Sequence, residues 1–215
     1  TFISTFVVLV MALGMGLYQR IKGGKIASIL SMLSLVPLFV PVVIAAYAIA
    51  QFYNGVGFMR TFMAQFGIEF PVITATRNAI IIGTIWTSLP FAILMIKSYF
   101  DQIPEELREA ALMDGASEKR TFFSVLLPLA RPGLGAVSIY VAIMAWNEFL
   151  MGLIMTTGGD SAPLTVGIAS LVQDYQITFG EMSAAGFAAA IPIILLTAVA
   201  SRQIVAGLTA GAVKS

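Results

Sequence analysis

The 215-residue chain is 59% hydrophobic and only 11% charged, with a net charge of +1 and a mean hydropathy of +0.93. A soluble domain usually carries about a quarter charged residues, so this chain has too few charges to cover a globule in water. The low net charge argues against a nucleic-acid-binding protein, and the absence of Cys and His excludes disulfides, thiol or imidazole catalysis and the usual zinc ligands.

Long charge-free runs predict five membrane-spanning helices, because a bilayer core needs about 20 apolar helical residues. We place the spans near residues 2–18, 27–52, 76–97, 133–155 and 182–201. The first run is short of that length, so we expect that the N-terminus has been trimmed. The spans contain Pro37, Pro41, Pro90 and Pro192, each of which can bend a helix that lines a pathway or simply kink it for packing. No repeat or linker divides the chain, which predicts a single domain over 1–215.

The cations are divided unevenly between the two sides of these spans. One side receives Arg20, Lys22, Lys25, Lys97, Arg108, Lys119, Arg120, Arg131, Arg202 and Lys214. The other side receives only Arg60 and Arg77. Because cytoplasmic loops are enriched in Lys and Arg, we predict that the loop 98–131 and the C-terminus are cytoplasmic and that segments 53–75 and 156–181 are external. A buried core of a soluble helical protein would not sort its cations in this way.

The predicted cytoplasmic loop reads DQIPEELREAALMDGASEKRTFFSVLLPLARP over residues 101–132. Pro104 suits the first turn of a helix, and Gly115 suits its C-terminal end. Ser117 can then cap a second short helix, which Pro128 and Pro132 would close before the next span. An apolar stripe along the first helix is predicted at Ile103, Leu107 and Ala111. The pattern therefore predicts two short helices at an angle, docked below the membrane.

The same loop carries a spaced motif: Glu109-Ala110-Ala111, three residues, Gly115, nine residues, Val125, one residue, Leu127-Pro128. It resembles the EAA loop of ABC importer permeases, with Val125 in place of the usual Ile. The resemblance implies that the loop 101–128 is a coupling helix seated on a cytoplasmic ATPase, with roles for Glu109, Ala110, Ala111, Asp114, Gly115, Leu127 and Pro128. Alanines allow close approach, and a glutamate offers a charge to a basic partner residue. The alternative is that the loop forms an ordinary amphipathic cytoplasmic helix. Substitution of Arg108, the residue next to Glu109 on the helix, is expected to affect transport less than substitution of Glu109.

Three further segments narrow the resemblance to the maltose-type, sugar-importing branch: residues 145–149 (AWNEF), 161–167 (SAPLTVG) and 207–214 (GLTAGAVK). The likeness covers essentially the whole chain. It implies an all-α polytopic protein of the type I ABC importer permease fold in the inner (plasma) membrane, with five of the usual six transmembrane helices present. It also implies two ATPase subunits that bind ATP and Mg²⁺, a second homologous permease and a soluble substrate-binding protein.

Two groups of residues are candidates for contacts with substrate or partners. Trp146 could stack on a sugar ring, and Asn147 could bond its hydroxyls, while Glu148 is an ionisable group inside a span and therefore a functional candidate. The alternatives for this group are a structural hydrogen-bond network or contact with the second permease. The resemblance also implies a tail that reaches the ATPases through Thr209, Ala210 and Gly211, the alternative being a frayed terminus.

No Gly-x-x-x-x-Gly-Lys-Ser/Thr phosphate loop occurs in the chain. We therefore predict no enzyme, no catalytic residues and no metal or cofactor of its own, and a permease for a sugar or oligosaccharide that borrows ATP hydrolysis from its partners. The alternative is another small solute such as glycerol phosphate or a polyamine. An intramembrane enzyme would need a carboxylate pair or a Ser-Lys dyad, and Glu148 is the only central carboxylate. A passive channel or ion-driven carrier does not explain the loop.

Overall fold

The computed structural model is almost entirely helical, and it describes residues 1–157, 161–173, 176–177 and 179–212, with the backbone alone for 22, 173, 176–177 and 199–212. In chain order, its helices are α1 Phe2–Lys22, α2 Gly24–Leu35, α3 Val42–Tyr53, α4 Phe58–Ala64, α5 Arg77–Asp101, α6 Glu105–Met113, α7 Glu118–Thr121, α8 Leu127–Trp146, α9 Leu150–Met155, α10 Leu164–Ala169 and α11 Phe179–Ala212. A small antiparallel ribbon joins β1 Val172–Gln173 to β2 Gln176–Ile177.

Within the described ranges, five helical segments are long and apolar enough to cross a membrane: Phe2–Ile21, Val42–Ala64, Arg77–Asp101, Glu118–Trp146 and Phe179–Ala198. The all-α polytopic fold predicted from the sequence is confirmed. Large apolar side chains cover the outer faces of these helices, as lipid-facing surfaces require; Phe187 on α11 is an example.

The predicted span 27–52 is not one helix. Helix α2 ends at Leu35, a 3₁₀ turn covers Val36–Phe39, and α3 begins only at Val42. Pro41 explains the break, because a residue that precedes proline is driven out of the helical region. Val40 is accordingly extended, with φ −99° and ψ 123°.

The predicted span 133–155 is also broken, between the end of α8 at Trp146 and the start of α9 at Leu150. The side-chain amide of Asn147 donates to the Ile143 carbonyl at 3.0 Å, the same carbonyl that the Asn147 backbone N–H uses at 3.0 Å. A carboxylate oxygen of Glu148 then accepts from the Met151 N–H at 2.9 Å and caps the next helix. Polar side chains that bond to nearby backbone compete with helix continuation in this way.

The prolines after the loop do not close a helix, contrary to expectation. Helix α7 continues through a π-turn at Phe122–Leu126 into α8, so that residues 118–146 form one long segment. In this turn the Leu127 N–H reaches the Phe122 carbonyl, one residue further back than in an α-helix. The wider turn lies directly before Pro128, which cannot donate a backbone hydrogen bond. Pro132 lies inside α8.

The core lies between α1, α5 and α8. Its fully buried side chains include Val8, Ile96, Phe100, Leu126, Val137 and Val141. A smaller cluster joins α3, α5 and α9 through Ala45, Ala46, Ala79, Met151 and Met155. Small residues let the helices approach closely, as in other membrane bundles. A Cβ built at Gly133 on α8 would lie 2.2 Å from the Tyr99 ring on α5.

Candidate functional site

The two ends of the bundle are well separated. A guanidinium nitrogen of Arg20, at the end of α1, donates to the Ile103 carbonyl at 2.8 Å and lies 2.7 Å from Glu105. The opposite end holds Arg77, the first residue of α5, beside the N-terminal residues of α1. A helix of 25 residues separates its ends by about 36 Å. The structure thus places the 101–128 loop and Arg20 at one end of the bundle and Arg77 at the other.

The predicted glycine, Gly115, lies just past the end of helix α6 and terminates it. Gly115 has φ +82°, in the left-handed region that glycine adopts without steric cost. Its N–H donates to the Leu112 carbonyl at 3.0 Å, and the Ala116 N–H donates to the Ala111 carbonyl at 3.0 Å. These two bonds are those of a Schellman C-cap. Ser117 caps α7 as predicted, its hydroxyl accepting from the Arg120 N–H at 3.3 Å.

An ionic cluster of Arg20, Glu105, Arg108 and Glu118 fixes α6 to its surroundings. Arg108 donates to Glu105 at 2.7 Å and makes two hydrogen bonds to the Glu118 carboxylate, one of them at 3.2 Å. The hydrogen bonds to Glu118 and then to Glu105 raise the pKa of Arg108. A guanidinium is charged at physiological pH in any case, so the raised pKa reflects the strength of the ion pairs and predicts no pH switch.

The opposite face of α6 is uncovered. Glu109, Ala110, Met113 and Asp114 are all exposed, Met113 to 88%. None of the ion pairs in the described part of the chain involves Glu109 or Asp114. Phe123, one turn into the next helical segment, is also exposed. The loop therefore presents acidic and apolar side chains outward from a helix that is held on its other side.

The remaining residues of the spaced motif do not share this exposed face. Ala111 is half-buried, and so are Leu127 and Pro128, with Leu127 packed against the core of α1, α5 and α8. The predicted apolar stripe holds only in part, because Ile103 is buried while Leu107 is exposed. The motif thus divides into an exposed face at Glu109, Ala110, Asp114 and Gly115 and a structural part that anchors the loop.

The second candidate group lies where α8 breaks. A cavity of about 340 Å³ is lined by Val42, Thr87, Ser88, Met144, Asn147, Glu148, Phe149 and Leu150. Asn147 also lines a neighbouring cavity of about 260 Å³, together with Trp146 and residues of α10 and α11. The Trp146 indole N–H donates to the Ala189 carbonyl at 3.0 Å and ties α8 to α11. Thr209, Ala210 and Gly211 lie outside the residues whose side chains are described.

Sequence reasoning missed two features of these sites. The first is the ionic cluster, although the Glu105–Arg108 spacing of three residues is a signal for a helical ion pair. The second is the contribution of Thr87 and Ser88 to the cavity wall. A hydroxyl inside an apolar run gives no such signal, because serine and threonine commonly bond to their own helix backbone.

These observations define the class as a polytopic α-helical membrane protein with broken spans and a loop of two short helices at one end. Residues 8–206 match the family described as binding-protein-dependent transport system inner membrane component, and the chain belongs to that family.

The chain is 39% identical to the inner membrane ABC transporter permease protein YcjP of Escherichia coli, over 67% of this chain and 54% of that protein. It is 33% identical to the trehalose/maltose transport system permease protein MalG of Thermococcus litoralis, over 84% of this chain and 62% of that protein. The chain thus spans between half and two-thirds of the length of these relatives.

Its fold is similar to that of a bacterial ABC transporter involved in the import of the acidic polysaccharide alginate. The TM-score is 0.77 at 16% identity, covering 99% of this chain and 78% of that chain. The type I ABC importer permease fold predicted from the sequence is confirmed.

Proposed function

We propose that the chain is the membrane-spanning permease subunit of a binding-protein-dependent, ATP-driven importer for a sugar or oligosaccharide. The exposed acidic and apolar face of α6, at one end of a bundle of this family, carries the proposal. The similarity to a trehalose/maltose permease supports the substrate class. The chain has no phosphate loop, so ATP and Mg²⁺ would be bound by partner subunits.

In this proposal, two ATPase subunits dock on the cytoplasmic side, one of them on α6 of this chain. Glu109 would meet a basic residue of the ATPase, while Ala110 allows close approach. A second, homologous permease completes the pathway through the inner membrane, and a soluble binding protein delivers the sugar from outside. The loop 98–131 and the C-terminus would be cytoplasmic, which the distribution of Lys and Arg supports. The tail residues Thr209, Ala210 and Gly211 would reach the ATPases.

The translocation pathway would pass the helix break at Asn147. Irregular backbone at membrane depth is tolerated only where it is buried in protein or lines a cavity, and both the break and two cavities occur here. Asn147 and Glu148 would face the solute, while Trp146 would form the wall between α8 and α11. Closure of the ATPases would move α6 and switch access to this pathway from one side to the other.

The test is reconstitution of the complex that co-purifies with the tagged chain, with its binding protein, in proteoliposomes. ATP-dependent uptake of trehalose or maltose is the expected result. Uptake of glycerol 3-phosphate or a polyamine with no uptake of either sugar would contradict the substrate class.

Glu109→Ala tests the coupling site in the same system. Removing one partner of a buried charged pair costs about 2–5 kcal/mol, so we expect both uptake and ATPase retention to fall. Glu69→Ala is the control, because Glu69 is also an exposed carboxylate but precedes α5, toward the opposite end of the bundle. Normal uptake and retention in Glu109→Ala would show that α6 is only a solvated helix.

A further inference from the structure

The 340 Å³ cavity lies where three spans meet in the middle of the bundle. Ser88 is eleven positions beyond Arg77 in the 25-residue helix α5, which places it about 16 Å along a helix of about 36 Å. Val42 is the first residue after the break between α2 and α3, and Asn147 begins the break between α8 and α9. Two interrupted spans therefore face one cavity at mid-depth, where substrate sites of transporters built from broken helices are found.

One polar side chain in this wall takes no part in the hydrogen bonds of the described residues. Ser88 is only 1% exposed, and its hydroxyl has no hydrogen-bond partner among the described residues. An unpaired buried hydroxyl costs free energy, and native proteins seldom keep one without a purpose. Thr84, one turn earlier and also 1% exposed, shows the ordinary arrangement, since its hydroxyl donates to the Ile80 carbonyl at 2.9 Å.

The chemistry of the lining selects the ligand class. Ser88 offers a hydroxyl, and Thr87 offers a hydroxyl oxygen that can accept while its O–H donates to the Gly83 carbonyl at 3.1 Å. Asn147 adds an amide and Glu148 a carboxylate, and the other described residues of the wall are apolar. Among the described residues that line the cavity there is no Lys or Arg that would bind a phosphate or carboxylate group, and Glu148 would repel one. A single carboxylate is also a poor match for a polyamine with several positive charges. Hydroxyl and amide groups set in an apolar wall suit a neutral polyhydroxylated ring.

We infer that Thr87 and Ser88 of α5 form, with Asn147 and Glu148, a mid-membrane binding site for one ring of a neutral sugar. This inference rests on the proposed import function and deepens it, because it adds α5 to the pathway and defines the solute by its chemistry. The volume of the cavity, about 340 Å³, is at the lower end of the range of about 300–1,000 Å³ for ligand pockets. A longer oligosaccharide would therefore pass through it ring by ring.

The experiment measures sugar held by the purified importer complex. The complex is arrested with vanadate during uptake of radiolabelled trehalose or maltose, and the sugar retained per complex is counted after washing. Ser88→Ala removes one hydrogen bond and should lower the affinity about threefold to tenfold, with a matching loss of retained sugar below saturation. Asn147→Ala should act in the same direction, and it carries the test if Ser88→Ala does not assemble.

The matched control is Thr84→Val, which removes an equally buried hydroxyl from the same helix but away from the cavity. It should retain as much sugar as the wild type. Wild-type retention in both Ser88→Ala and Asn147→Ala would overturn the site while the importer function stands, because the wild-type complex still transports. Equal losses in Ser88→Ala and Thr84→Val would also overturn it, since the cause would then be packing. If the wild-type complex took up glycerol 3-phosphate but neither trehalose nor maltose, the proposed function would be overturned and, with it, the neutral-sugar assignment.

Discussion

Although the sequence predicts a smaller role for Arg108 than for Glu109, the structure places Arg108 at the centre of the ionic cluster that holds α6, so we expect its removal to displace the helix. Arg108→Ala removes hydrogen bonds to both Glu105 and Glu118. The Arg108 side chain is 17% exposed, but its partners are 43% and 42% exposed, so solvent screens both pairs. We therefore take about 1 kcal/mol for each carboxylate, which is below the range of about 1.5–3 kcal/mol for hydrogen bonds to charged groups and at the upper end of the range for exposed ion pairs. A total of about 2 kcal/mol would lower the ratio of docked to undocked α6 about 30-fold.

The assay is a titration of the purified ATPase subunit onto the permease, because an undocked α6 presents its exposed face less often. Arg108→Ala should weaken this binding, and Arg108→Lys should recover only part of it, since an ammonium group cannot span two carboxylates as a guanidinium does. The exposed Lys97–Asp101 pair on α5 serves as the control. Lys97→Ala should change the binding free energy by less than about 0.5 kcal/mol.

A double-mutant cycle decides whether the cluster is the cause. Arg108→Ala and Glu118→Ala should be non-additive, with an interaction energy of about 1 kcal/mol, because each removes the same pair. Strictly additive effects would refute the reasoning. So would an Arg108→Ala variant that binds the ATPase and transports as well as Lys97→Ala does.

Three further changes test other parts of the structure. Gly115→Leu should reduce uptake because φ +82° strains a residue with a branched side chain, whereas Gly115→Asn should be milder. A Cβ at this position would have open space around it within the chain. Equal losses of uptake in the two variants would therefore point to the ATPase interface and not to backbone strain. Gly133→Ala should lower the free energy of unfolding by about 1–3 kcal/mol because of the Tyr99 ring; an unchanged midpoint in thermal unfolding of the detergent-solubilised protein would contradict the close packing. In intact cells an impermeant thiol reagent should label Arg60→Cys but not Arg120→Cys, and the reverse pattern would invert the proposed orientation.

Much of the fold could be predicted because membrane spans are encoded by composition. Charge-free runs indicated long apolar segments, although the predicted spans 27–52 and 133–155 are broken and the observed segments Val42–Ala64 and Glu118–Trp146 have different bounds. Glycine and serine at defined offsets predicted both caps of the loop, at Gly115 and Ser117. These rules are local, because a residue at a helix end can satisfy the backbone N–H or C=O groups that have no partner inside the helix. The same rules explain why the amino-acid pattern alone was enough to place the first part of the spaced motif, Glu109–Ala111, on a short helix that ends just before Gly115.

The breaks and the ionic cluster could not be predicted in this way, since they depend on which of several local options the tertiary structure selects. Pro90 and Pro132 lie inside continuous helices, while Pro41 lies in the break directly before α3; the sequence alone does not distinguish these outcomes. A span breaks after Asn147, whose side-chain amide and backbone N–H share the Ile143 carbonyl. The Ser88 hydroxyl has no hydrogen-bond partner among the described residues, and periodicity cannot identify the neighbours from other helices on which this depends.

The long segment 118–146 gives the two candidate sites a physical connection. At one end Glu118 is bonded to Arg108, and at the other end Asn147 begins the break that lines the cavity. A continuous segment of this length spans about 42 Å, and its core-facing residues Leu126, Val137 and Val141 are almost fully buried. A packed helix transmits displacement along its axis better than a loop does. In the proposed function, movement of α6 by an ATPase would therefore reach the helix break through Arg108 and Glu118, and the ion pairs at this junction would carry that movement.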